Sequence, residues 1–375
     1  MKKIWLLIVI FSASLGALAA CSNNDSRSTA SANGQDRVIQ YQSTPGNVIF
    51  PELAEALGYL GDIELEKVSD MVGGPESIQL TAVGEVDFGS AFNGAIIKSY
   101  AQGVKIKSVV GSYGSDENTF IGYYTLDDSG IKTAKDLIDK KIGMNTLGAH
   151  SEFAVQQFLR DGGLTEDEIQ GVQLVVVPGA SAEQILRAGQ IDVVALSGIG
   201  KERALETGGI YPVFKDTDLF GQFTAGEFFF TEKYIEENPD TVKTFVEGVS
   251  QAIEWARTTP REEVIAKFEE IVSAREGNET IENLKYWHST GIAGKGGQIA
   301  EEEFHIWIDW LVKNGDLQEG QVKLENLFTN EYMTLGTTLE TIMASMFSLV
   351  TLDLVKKVFN INPNSSDVQI GRAHV

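Results

Sequence analysis

The 375-residue chain holds one cysteine, four histidines and eight prolines, and its 30 Lys+Arg are outnumbered by 53 Asp+Glu. A single cysteine excludes an intrachain disulfide framework, a cysteine-based zinc cluster and an iron–sulfur site. A net charge of -23 excludes a generic binder of nucleic-acid phosphates, because that affinity needs a basic surface. Long apolar runs are also missing. Ile4–Phe11 is too short to span a membrane, and the apolar stretch after Met333 is interrupted by Glu340 and Asp353. What remains is 43% apolar residues in alternating strand-like and helix-like patterns, which excludes disorder and predicts two or three domains.

Lys2 and Lys3, the apolar run after them and the small residues up to Ala20 have the layout of a secretory signal. Leu18-Ala19-Ala20-Cys21 resembles the lipobox of bacterial lipoproteins. That resemblance implies a signal peptide over 1–20, cleavage before Cys21 and acylation of its sulfur, so no free thiol is left for catalysis. Two acyl chains hold a protein at a membrane where one is marginal. Residues 21–36, rich in Ser, Asn, Asp and Gly, then read as the lipidated cysteine and a flexible tether. The expectation is an extracytoplasmic protein, lipid-anchored to the outer face of the cell membrane or periplasmic.

One internal repeat organises the rest. Gln79-Leu-Thr-Ala-Val-Gly84-Glu-Val-Asp87 returns 105 residues later as Gln184-Ile-Leu-Arg-Ala-Gly189-Gln-Ile-Asp192, and Val72 and Gly74 match Val177 and Gly179 at the same offset. Each copy reads as strand, Gly/Pro loop, helix, glycine C-cap and a buried strand that starts near the Asp. Strands are predicted at 38–41, 63–68, 86–89, 106–111, 121–125, 141–144, 173–177, 191–196 and 227–230. Helices are predicted at 51–57, 76–83, 95–101, 134–139, 151–160 and 182–188. Such alternation implies an α/β fold of doubly wound sheets with right-handed crossovers, followed by a helical C-terminal region. After residue 231 the pattern turns helical, at 239–257, 261–272, 280–287 and 299–313, with Pro239 and Pro260 at or near first turns.

Gly73-Gly74-Pro75, Gly84-Glu85-Val86-Asp87-Phe88-Gly89-Ser90 and the run from Ser129-Gly130-Ile131 to Lys141-Ile142-Gly143 carry a family resemblance. They resemble the extracytoplasmic substrate-binding proteins of ABC importers, in the sulfonate, nitrate, taurine and thiamine-precursor group. The likeness covers roughly residues 37–332, including Glu237-Asn238-Pro239-Asp240. It implies a two-lobed periplasmic-binding-protein fold of type II that closes on a small solute. Lobe one would be discontinuous, 37–115 plus 222–332, and lobe two would span 116–221. The implied partners are a small-molecule solute and an ABC permease with its ATPase, and nothing calls for an oligomer. Residues 333–375 lie outside the pattern and are assigned no function; Ile370 to Val375 look like translated adapter.

Ligands of open parallel sheets sit beyond the C-terminal strand ends, where four polar loops fall. The first holds Ser43 and Thr44, the second Ser90 and Asn93, the third Thr146, Gly148 and His150, and the fourth Ser197. Small hydroxyls and backbone N–H groups there can approach a solute closely, although Ser, Thr and Asn also simply cap helices. Helix N-termini favour anions without a metal or cofactor, and none is expected here. Lys201 and Arg203 follow the fourth loop and point either to an anion or to solvent. Glu227 is the candidate counter-charge for an ammonium group, which fits a zwitterionic aminosulfonate. Gly291–Gly297 lacks the G-x4-G-K-[ST] pattern and reads as a plain loop. With no Ser-His-Asp or Cys-His grouping legible, an enzyme is not expected. Two rival readings remain: the thiamine-pyrimidine branch, as binder or related enzyme, and a non-transport lipoprotein sensor.

Overall fold

A computed structural model of the protein describes residues 34–275 and 279–334. The expected signal peptide, the Cys21 anchor, most of the tether and the tail from 335 onward lie outside the described residues.

The chain begins β1 (Val38–Ser43), α1 (Phe50–Ala56), β2 (Glu64–Asp70), α2 (Gly74–Val83), β3 (Phe88–Phe92), α3 (Asn93–Ala101) and β4 (Ile106–Ser115). A second stretch follows with β5 (Gly122–Leu126), β6 (Lys141–Met144), α4 (His150–Asp161), α5 (Glu166–Gln170) and β7 (Gln173–Val176). It continues through α6 (Ala182–Arg187), β8 (Val193–Leu196), α7 (Gly198–Thr207), β9 (Ile210–Lys215) and α8 (Asp216–Phe220). The return strand β10 (Phe223–Thr231) leads into α9 (Glu232–Glu237), α10 (Pro239–Thr258), α11 (Arg261–Ala274) and α12 (Glu301–Lys313).

The sheets are mixed, with parallel and antiparallel pairs. β1 pairs with β2, and β6 with β7 and β8, in parallel. β10 lies antiparallel between β3 and β4, and β5 antiparallel between β8 and β9. The two stretches of chain therefore build separate sheets, of order β3-β10-β4 and β7-β6-β8-β5-β9, beside the β1-β2 pair. Two predicted helices, at 134–139 and 280–287, are instead 3-10 turns over Ala134–Leu137 and Ile281–Tyr286.

The repeat has one physical meaning in both places. Gly84 (φ 77°) and Gly189 (φ 67°) take the left-handed conformation that a side chain disfavours and turn the chain off its helix. The following aspartate then behaves like a strand residue. Asp87 exchanges a backbone N–H bond to the Gln40 carbonyl (2.8 Å) for one from the Gln40 N–H to its own carboxylate (2.8 Å). Asp192 does the same with Lys141, at 2.9 and 2.8 Å. Each carboxylate thus replaces a backbone carbonyl, and β3 and β8 each start two residues later than alternation predicts.

β10 is where two cores meet. Successive side chains of a strand face opposite ways, so Phe228 and Phe230 join Phe88, Phe245 and Val249. Phe229 joins Ile78, Ile96 and Trp307 on the other side. The long helix α10 covers the first of these cores, burying Val242, Phe245, Val246, Val249, Ile253 and Ala256 at the three-to-four spacing of an amphipathic helix. Each fully buried Phe contributes about 2–3 kcal/mol by removal from water. Among the described residues, no helix is long and apolar enough to cross a membrane.

Candidate functional site

A cavity of about 320 Å³ opens at the ends of β1 and β4 and along the first half of β3, and is bounded also by Trp287, Ser289, Thr290 and Gly198 at the start of α7. Its polar wall is Gln42, Thr44, Asn47, Ser77, Ser90, Ser112, Thr119, Ser289 and Thr290. Its apolar wall includes Phe88, Phe228, Phe268 and Trp287, the last two packed edge to face at 5.6 Å. No lining residue carries a formal charge. Two more depressions, of about 340 and 600 Å³, lie elsewhere, the first between α7 and residues 282–286 and the second beside the end of β10.

The hydroxyl row is built by a close helix–strand approach. A Cβ on Gly89 would stand 2.6 Å from Thr81 Oγ1 and 2.7 Å from Ser77 Oγ, so only glycine lets α2 lie this near β3. Ser77 Oγ then accepts from the Ser90 N–H (3.1 Å), and the Ser90 hydroxyl donates to Ser112 Oγ (2.8 Å).

The mouth loop between β1 and α1 is held from behind by buried charge. Glu52 accepts from the Tyr41 hydroxyl (2.8 Å), the Ile49 N–H (2.9 Å) and the Arg275 guanidinium (2.8 Å). Arg275 also donates to the Asn47 carbonyl (2.7 Å) and to Glu279, which accepts the Gly46 N–H (2.6 Å). Burial pushes the Glu52 carboxyl up, and the Arg275 charge works against that shift. These contacts fix the loop that presents Thr44 and Asn47.

The expected site residues divide. Thr44 and Ser90 line the cavity. Ser43 is fully buried beside it, its hydroxyl without a hydrogen-bond partner among the described residues. Ser197 is exposed, one residue before the cavity-lining Gly198. Thr146 is not among the lining residues; it lies beside Gly73, where an added Cβ would meet its methyl at 3.2 Å. The Gly148 N–H is already spent on Glu152 (2.7 Å).

Asn93, His150 and Glu227 do not reach the cavity. Glu227 is fully buried, opposite Ala91 of β3, and accepts from the Asn93 amide at 3.3 Å. Burial, then the nearby Glu303 charge, holds its carboxyl well above the usual range, so it is neutral and offers no counter-charge to an ammonium. His150 is 3% exposed and stacks on Phe92 at 5.3 Å. Burial lowers its pKa to about 3, leaving a neutral ring. Its Nε2 lies 3.3 Å from Asp216 Oδ2 without the alignment of a hydrogen bond. The Ser115 hydroxyl takes that same oxygen at 2.6 Å, and burial raises Asp216 to about 6. Serine, aspartate and histidine therefore meet, but the serine donates to the aspartate and no base is poised on it. Lys201 is also buried, 3.6 Å over the Phe120 ring rather than at the cavity.

Among the lining residues that sequence reasoning missed are Ser77, Ser112, Tyr113, Thr119, Phe268, Trp287, Ser289 and Thr290. For Ser112 and Tyr113 a signal existed, since β4 continues through Ser-Tyr-Gly-Ser past its expected end at Gly111. The others arrive only through tertiary packing.

This arrangement has relatives. A Brucella abortus protein named only as a binding protein is 25% identical over 207 residues, covering 54% of this chain and 61% of its own length. The chain thus matches about three fifths of that relative. The 4-amino-5-hydroxymethyl-2-methylpyrimidine phosphate synthase of Candida albicans is 24% identical over 304 residues, covering 75% of this chain and 83% of the enzyme. The fold is that of the periplasmic aliphatic sulphonate binding protein of Escherichia coli. Superposition gives a TM-score of 0.59 at 20% identity, over 78% of this chain and 92% of that one. The pattern of the NMT1/THI5-like family matches residues 49–263, more than half of the chain, and the chain belongs to that family.

Proposed function

We propose that the chain is the solute-binding receptor of an ABC importer, held outside the cytoplasm by an acylated Cys21 and handing its solute to a permease. The two sheet-bearing stretches, 37–115 plus 222–332 and 116–221, would act as the two lobes. The observation that carries this is the cavity itself: a hydroxyl and amide wall facing an aromatic one, with no charged side chain and no activated nucleophile. Hydroxyls and N–H groups can take a sulfonate head, and the rings can take the organic part. That favours an organosulfonate over nitrate, which has nothing to place against Phe228 and Trp287. The same rings fit a planar pyrimidine, and the similarity to the Candida enzyme gives that second reading its support.

Thermal unfolding against taurine, longer alkanesulfonates, an arylsulfonate, nitrate and a neutral aminopyrimidine tests the proposal. A ligand of the native state at a hundredfold over its Kd stabilises by about 2.7 kcal/mol. Sulfonates raising Tm while nitrate does not supports it. A shift from the pyrimidine alone transfers the site to the second reading, and silence across the panel defeats both.

A further inference from the structure

β4 and β10 leave their regular ladder beside the cavity. Gly226 pairs with Tyr113 and Glu227 with Gly111, so Ser112 has no partner on β10. That extra residue is a β-bulge, a device that re-aims side chains. Neighbouring residues of a regular strand face opposite ways, yet Ser112 and Tyr113 both line the cavity. β4 then runs on to Ser115, where the chain crosses toward the second sheet.

The Tyr113 ring is pinned from behind. A Cβ on Gly226 would overlap Tyr113 Cε1 and stand 2.5 Å from the Ala91 carbonyl oxygen, so only glycine lets the ring lie against β10 here. The neutral His150 ring flanks it at 6.4 Å between centroids. Tyr113 is nevertheless 36% exposed, whereas Phe88, Phe228 and Phe268 of the apolar wall are at most 3% exposed. Those three shape the cavity but offer a solute little surface. Beside the ring, the Ser112 hydroxyl accepts from Ser90 (2.8 Å), which leaves its own proton for a solute. Ring and donor belong to consecutive residues, whose Cα atoms stand about 3.8 Å apart.

We infer that Tyr113 is a stacking platform that sets the specificity of the cavity. Its solute is a planar conjugated ring with hydrogen-bond acceptors attached directly to it, as in an arylsulfonate. A flat ring laid on Tyr113 gains an offset-stacked contact that an aliphatic group of similar bulk does not. An acceptor on that ring reaches Ser112 without a spacer, whereas a long linker carries one of the two groups past its partner. The inference rests on the cavity being the solute site, and narrows the organosulfonates proposed for it to aromatic ones.

Isothermal titration of the full-length chain carrying Cys21→Ser compares benzenesulfonate, cyclohexanesulfonate and a phenylpropyl sulfonate, which share one head group, with a neutral aminopyrimidine beside them. Benzenesulfonate should bind about threefold to tenfold more tightly than the other two sulfonates. Tyr113→Leu should bring benzenesulfonate and cyclohexanesulfonate to the same affinity, and Tyr113→Phe should keep them apart. The comparison within the parent chain decides the matter even where Tyr113→Leu fails to fold. Equal affinity for the two rings in the parent, or equal losses of both in Tyr113→Leu, overturns the platform and leaves the receptor reading intact. Phenylpropyl sulfonate binding as tightly as benzenesulfonate overturns the direct attachment. The aminopyrimidine binding alone, and weakened by Tyr113→Leu but not by Tyr113→Phe, keeps the platform and moves the solute to the second reading; unweakened, it overturns the platform. Silence from every probe overturns both the platform and the receptor reading.

Discussion

The two copies of the repeat share a turning glycine and a backbone-mimicking aspartate, yet they serve different ends. In the first, Gly89 lets α2 approach β3 until Ser77, Ser90 and Ser112 form one hydroxyl row at the cavity. In the second, Val194 stands at the position equivalent to Gly89 and Ala195 at that of Ser90, and α6 packs on β8 through apolar contacts with Leu186 and Ile191. A shared backbone device has been kept, while one helix–strand contact became polar and close and the other stayed apolar. Position within the repeat therefore predicts structure, and only the side chains facing the cavity predict binding.

Giving the first copy the second copy's residue should be the harshest test. Gly89→Val must displace Ser77, Thr81 and Phe229 and should cost about 3 kcal/mol. Val194→Ala should cost about 2 kcal/mol and spare the cavity. Urea midpoints measure both, and near-equal losses would erase the contrast. A smaller difference is expected at the shared aspartates. Asp87 is buried and Asp192 partly exposed. Asp87→Ala should therefore cost about 2 kcal/mol and Asp192→Ala about 1 kcal/mol, with Asp87→Asn recovering most of the loss because its amide oxygen still accepts.

The smallest effect concerns protons at the crossing beside the second sheet. Asp216, raised to about 6 in the fold, contributes stability that is full below its unfolded value of 3.8 and lost as pH rises through about 6. His150, lowered to about 3, has the opposite sign: its contribution is present above 6.5 and lost as pH falls toward 3. The two oppose each other across this window. Asp216→Asn should remove one of them, so that Tm of the variant relative to the parent rises between about pH 4.5 and about pH 7, by on the order of 1 kcal/mol, or about 2–4 °C. Parallel Tm curves would contradict the assigned burial.

Much of the fold was legible because it is locally written. The strand at 141–144 and the helix from Pro239 follow from apolar spacing and from proline in a first turn. β9 was not, because Pro212 interrupts Ile210–Lys215. As an edge strand, it can spare the missing N–H. The antiparallel insertion of β10 was equally hidden, since periodicity carries no information about partners. In the site, Thr44 and Ser90 were readable as hydroxyls on polar loops expected after strands, although Ser90 in fact lies within β3. Glu227 was not, because a carboxylate in an apolar run looks the same whether it faces a cleft or lies neutral beside Asn93. Trp287 and Ser289 lie far along the chain from the loops they cover.

The place of β10 also orders events in time. β3 and β4 pair only through it, and it follows them by more than a hundred residues of intervening chain. As the polypeptide is made, the strands of the five-stranded sheet are all complete by residue 215, before β10 exists. The earlier strands must wait, unpaired, for a distant one. That high-contact-order closure makes the first sheet the slow step of folding and the segment 88–115 its most aggregation-exposed stretch.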